Sequence, residues 1–337
     1  MDGPLALERP WRVSSGSAAV LGLLALRMDV VPTTAYLMLG ERCSRNCGFC
    51  TQARESLAHE AALSRVNWPQ FPGQAVASAL SRAYGDGRIV RTCFQVTVCR
   101  GYLDEAEHAV QQVRECANMP VCVSVAPRSP DDAARLLAAG AERVTIALDA
   151  ACESVYGQTK GGVWAHALGL LESCAQRFPG RIGTHLIVGL GETEREMVAL
   201  LNQLFRQGVT VGLFAFTPVK GTTMAGRCPP DVGHYRRIQL AYWLLSHGLV
   251  AAEQFAYDNV TGRLLSFGLP QAQLRALVGR GDAFRTSGCP GCNRPYYNER
   301  PGGVMYNYPR PLSAEEAKQE LEAVLAELEV PEVRRQP

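Results

Sequence analysis

The stretch Thr34-Ala-Tyr-Leu-Met-Leu-Gly-Glu-Arg-Cys-Ser-Arg-Asn-Cys-Gly-Phe-Cys50 decides the fold. It joins a short apolar run of β-formers, Thr34–Leu39, to a loop with three cysteines spaced C-x3-C-x2-C. A strand that ends in a loop of chemically active residues is the opening unit of a βα repeat. The rest of the chain keeps that rhythm. Strands are predicted at Arg88–Val98, Val121–Val125, Arg143–Leu148, Arg181–Val188 and Val211–Phe216. Helices are predicted at Gln74–Tyr84, Leu103–Ala117, Asp131–Ala139, Trp164–Arg177, Glu192–Gln207 and Asp231–His247. Weaker signals at Gln254–Tyr257 and Gln271–Val278 suggest a seventh pair, and Asp282–Thr286 an eighth strand. Right-handed βα units build a parallel sheet, and about eight close it. The expected fold class is therefore α/β, a (β/α)8 TIM-type barrel, complete or nearly so.

That barrel is expected to span residues 33–288. Residues 1–32 are expected to be an N-terminal helical segment, with an amphipathic helix at Ser15–Met28. Residues 289–337 form a C-terminal extension that carries cysteines, a Tyr/Arg-rich arm, a helix at Ala314–Leu328 and a charged, disordered tail.

Composition narrows the classes of function. The chain has 337 residues, 47% of them hydrophobic, and a net charge of +2. No basic block tracks phosphates, so no nucleic-acid partner is expected. No run of 18 apolar residues occurs, so no membrane span is expected. The start mixes Asp2, Glu8, Arg9 and Arg12, unlike a signal peptide. A cytoplasmic protein is the expectation. Twelve cysteines in such a chain point to metal, redox chemistry or burial rather than a disulfide framework.

Spacing favours metal at Cys43, Cys47 and Cys50. Iron–sulfur clusters are held by thiolates, normally four. Three close cysteines bind three irons of a cubane and leave the fourth open to a small ligand. Gly48 lets the loop bend around it. A structural zinc is the alternative, with His59 as the only nearby fourth ligand.

With its aromatic before the last cysteine, the loop resembles that of the radical S-adenosylmethionine (SAM) superfamily. The resemblance implies a [4Fe–4S] cluster whose open iron holds SAM, reductive cleavage to a 5′-deoxyadenosyl radical, and Phe49 against the adenine. Further patches are similar to biotin and lipoyl synthases. Ile187-Val-Gly-Leu-Gly-Glu-Thr193 matches their glycine loop after the fifth strand, which implies SAM contacts from Gly189, Gly191 and Glu192. Lys220-Gly-Thr222 and Leu148-Asp149 match as well, and the latter implies a SAM or substrate contact from Asp149.

The departures from biotin synthase matter. Cys93 and Cys122 match two of the positions that hold its second cluster, but the third is Gly183. The asparagine that meets its substrate is replaced by Phe214, which implies substrate contact through an alkyl chain rather than a polar ring. A second cysteine pair occurs in Ser287-Gly-Cys-Pro-Gly-Cys292, expected at the barrel's C-terminal face. Cys289 and Cys292 are candidate ligands of an auxiliary iron–sulfur cluster. Cys99 is the first choice of partner, with Cys93, Cys122 and the Ser287 hydroxyl as further candidates; a structural zinc or a redox pair is the other reading. Cys116, Cys152, Cys174 and Cys228 read as spectators. Asn293–Gly303 is expected to close over the site, receive a partner, or simply pack on the barrel.

Taken with the family resemblance, these residues suggest a sulfur-insertion enzyme, most similar to the divided, two-protein lipoyl synthases. Its substrate would be an octanoylated lipoyl-carrier protein or peptide. A second radical SAM subunit and a reducing electron donor would be its partners. Biotin synthase, a carbon-rearranging relative, or a non-catalytic metal-binding scaffold are the alternatives.

Overall fold

The computed structural model describes residues 10–300 and 302–328. The first nine residues and the charged tail at 329–337 lie outside the described residues. Pro10–Val13 forms β1, and Ser15–Val20 forms α1. The expected helix thus stops well before Met28, and the strand ahead of it was not anticipated. Next come β2 (Thr34–Leu39), β3 (Ala62–Leu63), β4 (Val66–Asn67), β5 (Gln70–Pro72) and α2 (Gly73–Gly85). The βα units follow as β6 (Arg91–Val96), α3 (Tyr102–Cys116), β7 (Val121–Ser124), α4 (Pro130–Ala138) and β8 (Arg143–Thr145). After them stand α5 (Glu153–Thr159), α6 (Trp164–Arg177), β9 (Ile182–Val188), α7 (Glu194–Arg206), β10 (Thr210–Ala215) and α8 (Val232–Ser246). The remainder is a small hairpin, β11 (Ala256–Tyr257) and β12 (Leu264–Ser266), then α9 (Gln271–Val278) and α10 (Ala314–Leu325).

The main sheet has the order β10-β9-β8-β7-β6-β2-β1-β5. The six strands from β10 to β2 are parallel; β1 and β5 are antiparallel additions at the β2 edge. Among the described residues no pairing joins β10 to β5, so the barrel is open, which corrects the eightfold closure. The expected seventh strand is a 3-10 turn running into the two-residue β11, which pairs only with β12. The expected eighth is a 3-10 turn at Asp282–Phe284.

Strand parity sorts the side chains. Leu37, Phe94, Val121, Val123, Val144, Leu186, Val188, Val211 and Leu213 point outward and are buried with the apolar faces of the helices. Each such burial is worth about 1.5–3 kcal/mol. The opposite parity (Tyr36, Cys93, Gln95, Cys122, His185, Phe214) faces the barrel interior, which is therefore lined by reactive and polar groups. Helix starts are secured locally. Thr193 and Glu196 make a reciprocal capping box on α7, and Ser313 and Glu316 do the same on α10.

The open side is filled by residues 286–298. Ser287 Oγ accepts the Leu213 N–H of β10 at 2.8 Å. Lower down, Arg91 donates to the Pro290 carbonyl, Thr33 Oγ1 donates to the Gly291 carbonyl, and Asn293 Oδ1 accepts the Thr33 N–H. Thr33 and Arg91 mark the N-terminal ends of β2 and β6. The Cys289–Cys292 loop therefore plugs the bottom of the barrel rather than its C-terminal face. The close approach needs Gly212, where a Cβ would fall 3.1 Å from Arg294 Nη1 and 3.2 Å from His185 Cδ2. The described part of Asn293–Gly303 packs on the barrel, and its Tyr297 and Asn298 also line the cavity at the mouth.

Candidate active site

The cysteine loop leaves β2 through Gly40, whose φ is +84° and whose Cβ would sit 2.5 Å from Thr97 Oγ1. Only glycine meets both conditions without strain. The loop is tied down by main-chain bonds from Cys43 N–H to Gln52 O (3.0 Å), Ser44 N–H to Val98 O (2.7 Å) and Gly48 N–H to Thr159 O (2.7 Å). Arg12 of β1 anchors it from beneath, donating to Gly40 O at 2.7 Å, Gln52 Oε1 at 2.9 Å and Glu60 O at 3.1 Å.

Cys43, Cys47 and Cys50 are half-buried and line one cavity of about 620 Å³ at the C-terminal mouth. Phe49, Gln95, Asp149, Lys160, His185, Phe214 and Tyr297 line the same cavity. Burial, with Cys47 and Cys43 nearby, pushes the Cys50 thiol up to about 12. Three crowded, partly buried thiols cannot ionise together without positive charge, which a metal cluster supplies. Among the described residues no three Cys, His, Asp or Glu side chains group tightly enough for a single metal ion.

Asp149 is left-handed at φ +65° and pairs with Lys160 Nζ at 2.8 Å. Lys160 is almost wholly buried. Burial opposes its charge, yet Asp149 and Cys47 together raise its pKa, so a fixed cation stands beside the cysteine loop. Lys160 was missed because α5, a short helix of weak helix formers, gave no readable signal.

The glycine loop is placed differently from expectation. Gly189, Gly191 and Glu192 do not line the cavity. Glu192 folds back and accepts the N–H groups of Gly189 (2.7 Å), Leu190 (3.0 Å) and Gly191 (3.1 Å). The amides a ligand would use are already occupied. Gly189 also abuts Pro230, where a Cβ would fall 2.9 Å away.

Below this cavity lies a second chamber lined by Cys93, Cys122, Cys289 and Cys292, with Ser287 and Tyr36. Gln95, His185, Phe214 and Tyr297 border both spaces and form the partition. Cys289 Sγ is 3.9 Å from Cys122 Sγ. Contact with Cys122, then burial, drives the Cys289 thiol far up. Cys122 is pulled down by Cys289 but raised more by contact with Cys93 and by burial. Cys99 does not join them: it follows β6 and packs against Gly40. Ser287 lines the chamber with its oxygen engaged by Leu213. Phe214 is no bare apolar wall: the Arg294 guanidinium lies 4.0 Å over its ring, and His185 and Tyr297 meet it edge-on. His185 has no hydrogen-bond partner for its ring among the described residues, and burial lowers its pKa to about 4.

Residues 37–204 match the family model of the radical SAM superfamily. The chain belongs to that superfamily. Membership in the radical SAM superfamily implies a [4Fe–4S] cluster and SAM as cofactors. Among solved structures, the FeFe-hydrogenase maturase HydG from Carboxydothermus hydrogenoformans is 16% identical at a TM-score of 0.50, over 64% of this chain and 51% of that one. Methylornithine synthase PylB is 12% identical at a TM-score of 0.50, over 64% of this chain and 62% of that one. The chain thus spans only about half to three-fifths of these structures, and at such identities the likeness is one of fold. No curated protein matches it in sequence. No helix among the described residues is long and apolar enough to cross a membrane.

Proposed function

We propose that this radical SAM enzyme inserts sulfur into an unactivated C–H bond. The observation that supports it is two groups of thiols in one barrel, separated by a partition. In this reading Cys43, Cys47 and Cys50 hold the [4Fe–4S] cluster above, and Cys93, Cys122, Cys289 and Cys292 hold a second iron–sulfur cluster below. Bound there, the upper group supplies a deoxyadenosyl radical from SAM and the lower one supplies sulfide.

The lower thiols suit such a group. Two thiolates at about 2.3 Å from one tetrahedral iron stand about 3.8 Å apart, close to the 3.9 Å between Cys122 and Cys289, which suits two ligands sharing one iron of a cluster. Two wall cysteines and two plug cysteines replace the ligand set that biotin synthase completes at the position of Gly183.

The chain's own residues position the reactants. Lys160 and Asp149 present a cation and a carboxylate beside the cysteine loop, suited to the charged ends and hydroxyls of SAM. Phe49 offers an apolar face to a flat ring. The substrate carbon belongs at the partition, against Phe214, His185 and Tyr297, where both chambers are within reach. The plug covers the lower chamber at the bottom of the barrel.

The substrate in this reading is an octanoyl chain on a lipoyl-carrier protein, with Phe214 as its apolar contact in a partition that also carries Gln95, His185 and Tyr297, and with a reducing electron donor and a second radical SAM subunit for the other insertion. Carbon-rearranging relatives need no lower cluster. Anaerobic protein incubated with SAM, dithionite and an octanoylated peptide should yield a peptide heavier by one sulfur. Deoxyadenosine without any sulfur gain, with or without cell extract, contradicts the proposal.

A further inference from the structure

Tyr36 is half-buried on β2 and faces the lower chamber. Its oxygen lies 3.2 Å from Cys292 Sγ and also accepts the backbone N–H of Arg294 at 2.9 Å. An amide N–H only donates, so that bond occupies a lone pair of the phenol and leaves its own proton free. A Cys292 thiolate, the form a metal ligand takes, can only accept, so toward a ligating Cys292 the phenol O–H is the donor.

Arg294 supplies the second half of the arrangement. Its side chain donates to Ser287 O at 2.8 Å and Leu213 O at 3.3 Å and lies over Phe214. It has no carboxylate partner among the described residues, so a full positive charge stands half-buried beside the plug. Arg91 differs: it reaches the plug through Pro290 O but is neutralised by Glu142.

We propose that Tyr36 and Arg294 are positioning residues that raise the reduction potential of the cluster held by Cys292 and its partners. The inference rests on the reading that the lower chamber holds an iron–sulfur cluster. A cluster gains negative charge on reduction, so a hydrogen bond to its thiolate and an uncompensated cation favour the reduced form. Neither group is a ligand; both act through Cys292 and the field around it.

The test is an anaerobic redox titration of the reconstituted full chain, with the lower cluster identified as the signal lost in Cys289→Ala. Tyr36→Phe should shift that midpoint to a more negative potential with the iron content retained. Arg294→Gln should shift it the same way. Fluorotyrosine at position 36, a stronger donor of the same shape, should shift it to a more positive potential. An unchanged midpoint in Tyr36→Phe overturns the inference. If that variant loses its cluster, the absence of a positive shift with fluorotyrosine overturns it. Wild-type protein that has no lower cluster overturns the underlying reading and this inference with it, an outcome distinct from eightfold or sixfold iron with unmoved potentials.

Discussion

Cys289 and Cys122 meet at 3.9 Å between their sulfurs although 167 positions separate them in sequence. The contact joins the plug at 286–298 to the wall of the barrel, and it is possible only because β10 leaves its free edge open. The missing barrel strands and the second thiol group are thus one feature: the segment that fills the gap carries the cysteines inside.

Cysteine substitutions should divide into three classes. Cys122→Ala or Cys289→Ala should remove the lower iron while deoxyadenosine formation from SAM continues. Cys47→Ala should abolish that formation. Cys99→Ala should leave both iron content and SAM cleavage near wild type, because Cys99 packs beside Gly40 and lines neither chamber. Metal analysis and product chromatography on the same preparations separate the classes.

Arg12→Leu should loosen the cysteine loop from beneath. It strips a donor from Gly40 O, Gln52 Oε1 and Glu60 O, of which Glu60 O keeps Gln52 Nε2, and a buried acceptor left unpaired costs about 1–3 kcal/mol. A loss of about 3 kcal/mol by urea unfolding is expected, together with faster loss of upper iron to a chelator. A variant as stable as wild type would show that the loop does not depend on β1.

Lys160→Met should weaken SAM binding. It removes the cation at the cysteine loop and leaves Asp149, only 13% exposed, without its partner. Truncating one member of a buried charge pair costs about 2 kcal/mol or more, roughly thirtyfold in Kd. Equilibrium dialysis of SAM on reconstituted protein reads this directly.

His185 should stay neutral well below neutrality. Burial, aided by Arg294 and Lys160 and opposed by Asp149, sets its pKa at about 4, against 6.5 for an ordinary histidine. Below pH 6.5 the unfolded chain takes up a proton that the folded one refuses. Its contribution is therefore fully present above pH 6.5 and is lost as pH falls toward 4, about 3 kcal/mol in all. His185→Gln should flatten the pH dependence of unfolding over that window relative to wild type. An equal slope in both proteins contradicts the assignment.

The cysteine loop and the six parallel strands were legible because strand parity and C-x3-C-x2-C spacing are local signals. The candidate pair Cys93 and Cys122 came from the resemblance to biotin synthase, and the structure pairs the two directly in register on neighbouring strands. The plug was not legible. Its Pro, Gly, Tyr and Arg residues carry no periodicity, and only tertiary contacts at Thr33, Arg91 and Leu213 show that it seals the bottom. Gly189, Gly191 and Glu192 misled for another reason. A glycine loop after a strand offers amides to a ligand, but nothing in its sequence says that Glu192 turns back to take them. Arg237 is similar: its buried pairing with Glu194 joins two helices whose contact no local pattern announces.

Iron and acid-labile sulfide per chain, measured after anaerobic reconstitution of the wild type and of a Cys122→Ala/Cys289→Ala double variant, test the two-cluster barrel most directly. The account predicts about six to eight irons in the wild type and about four in the variant. A wild type that stops at about four irons, with the variant unchanged from it, would contradict it.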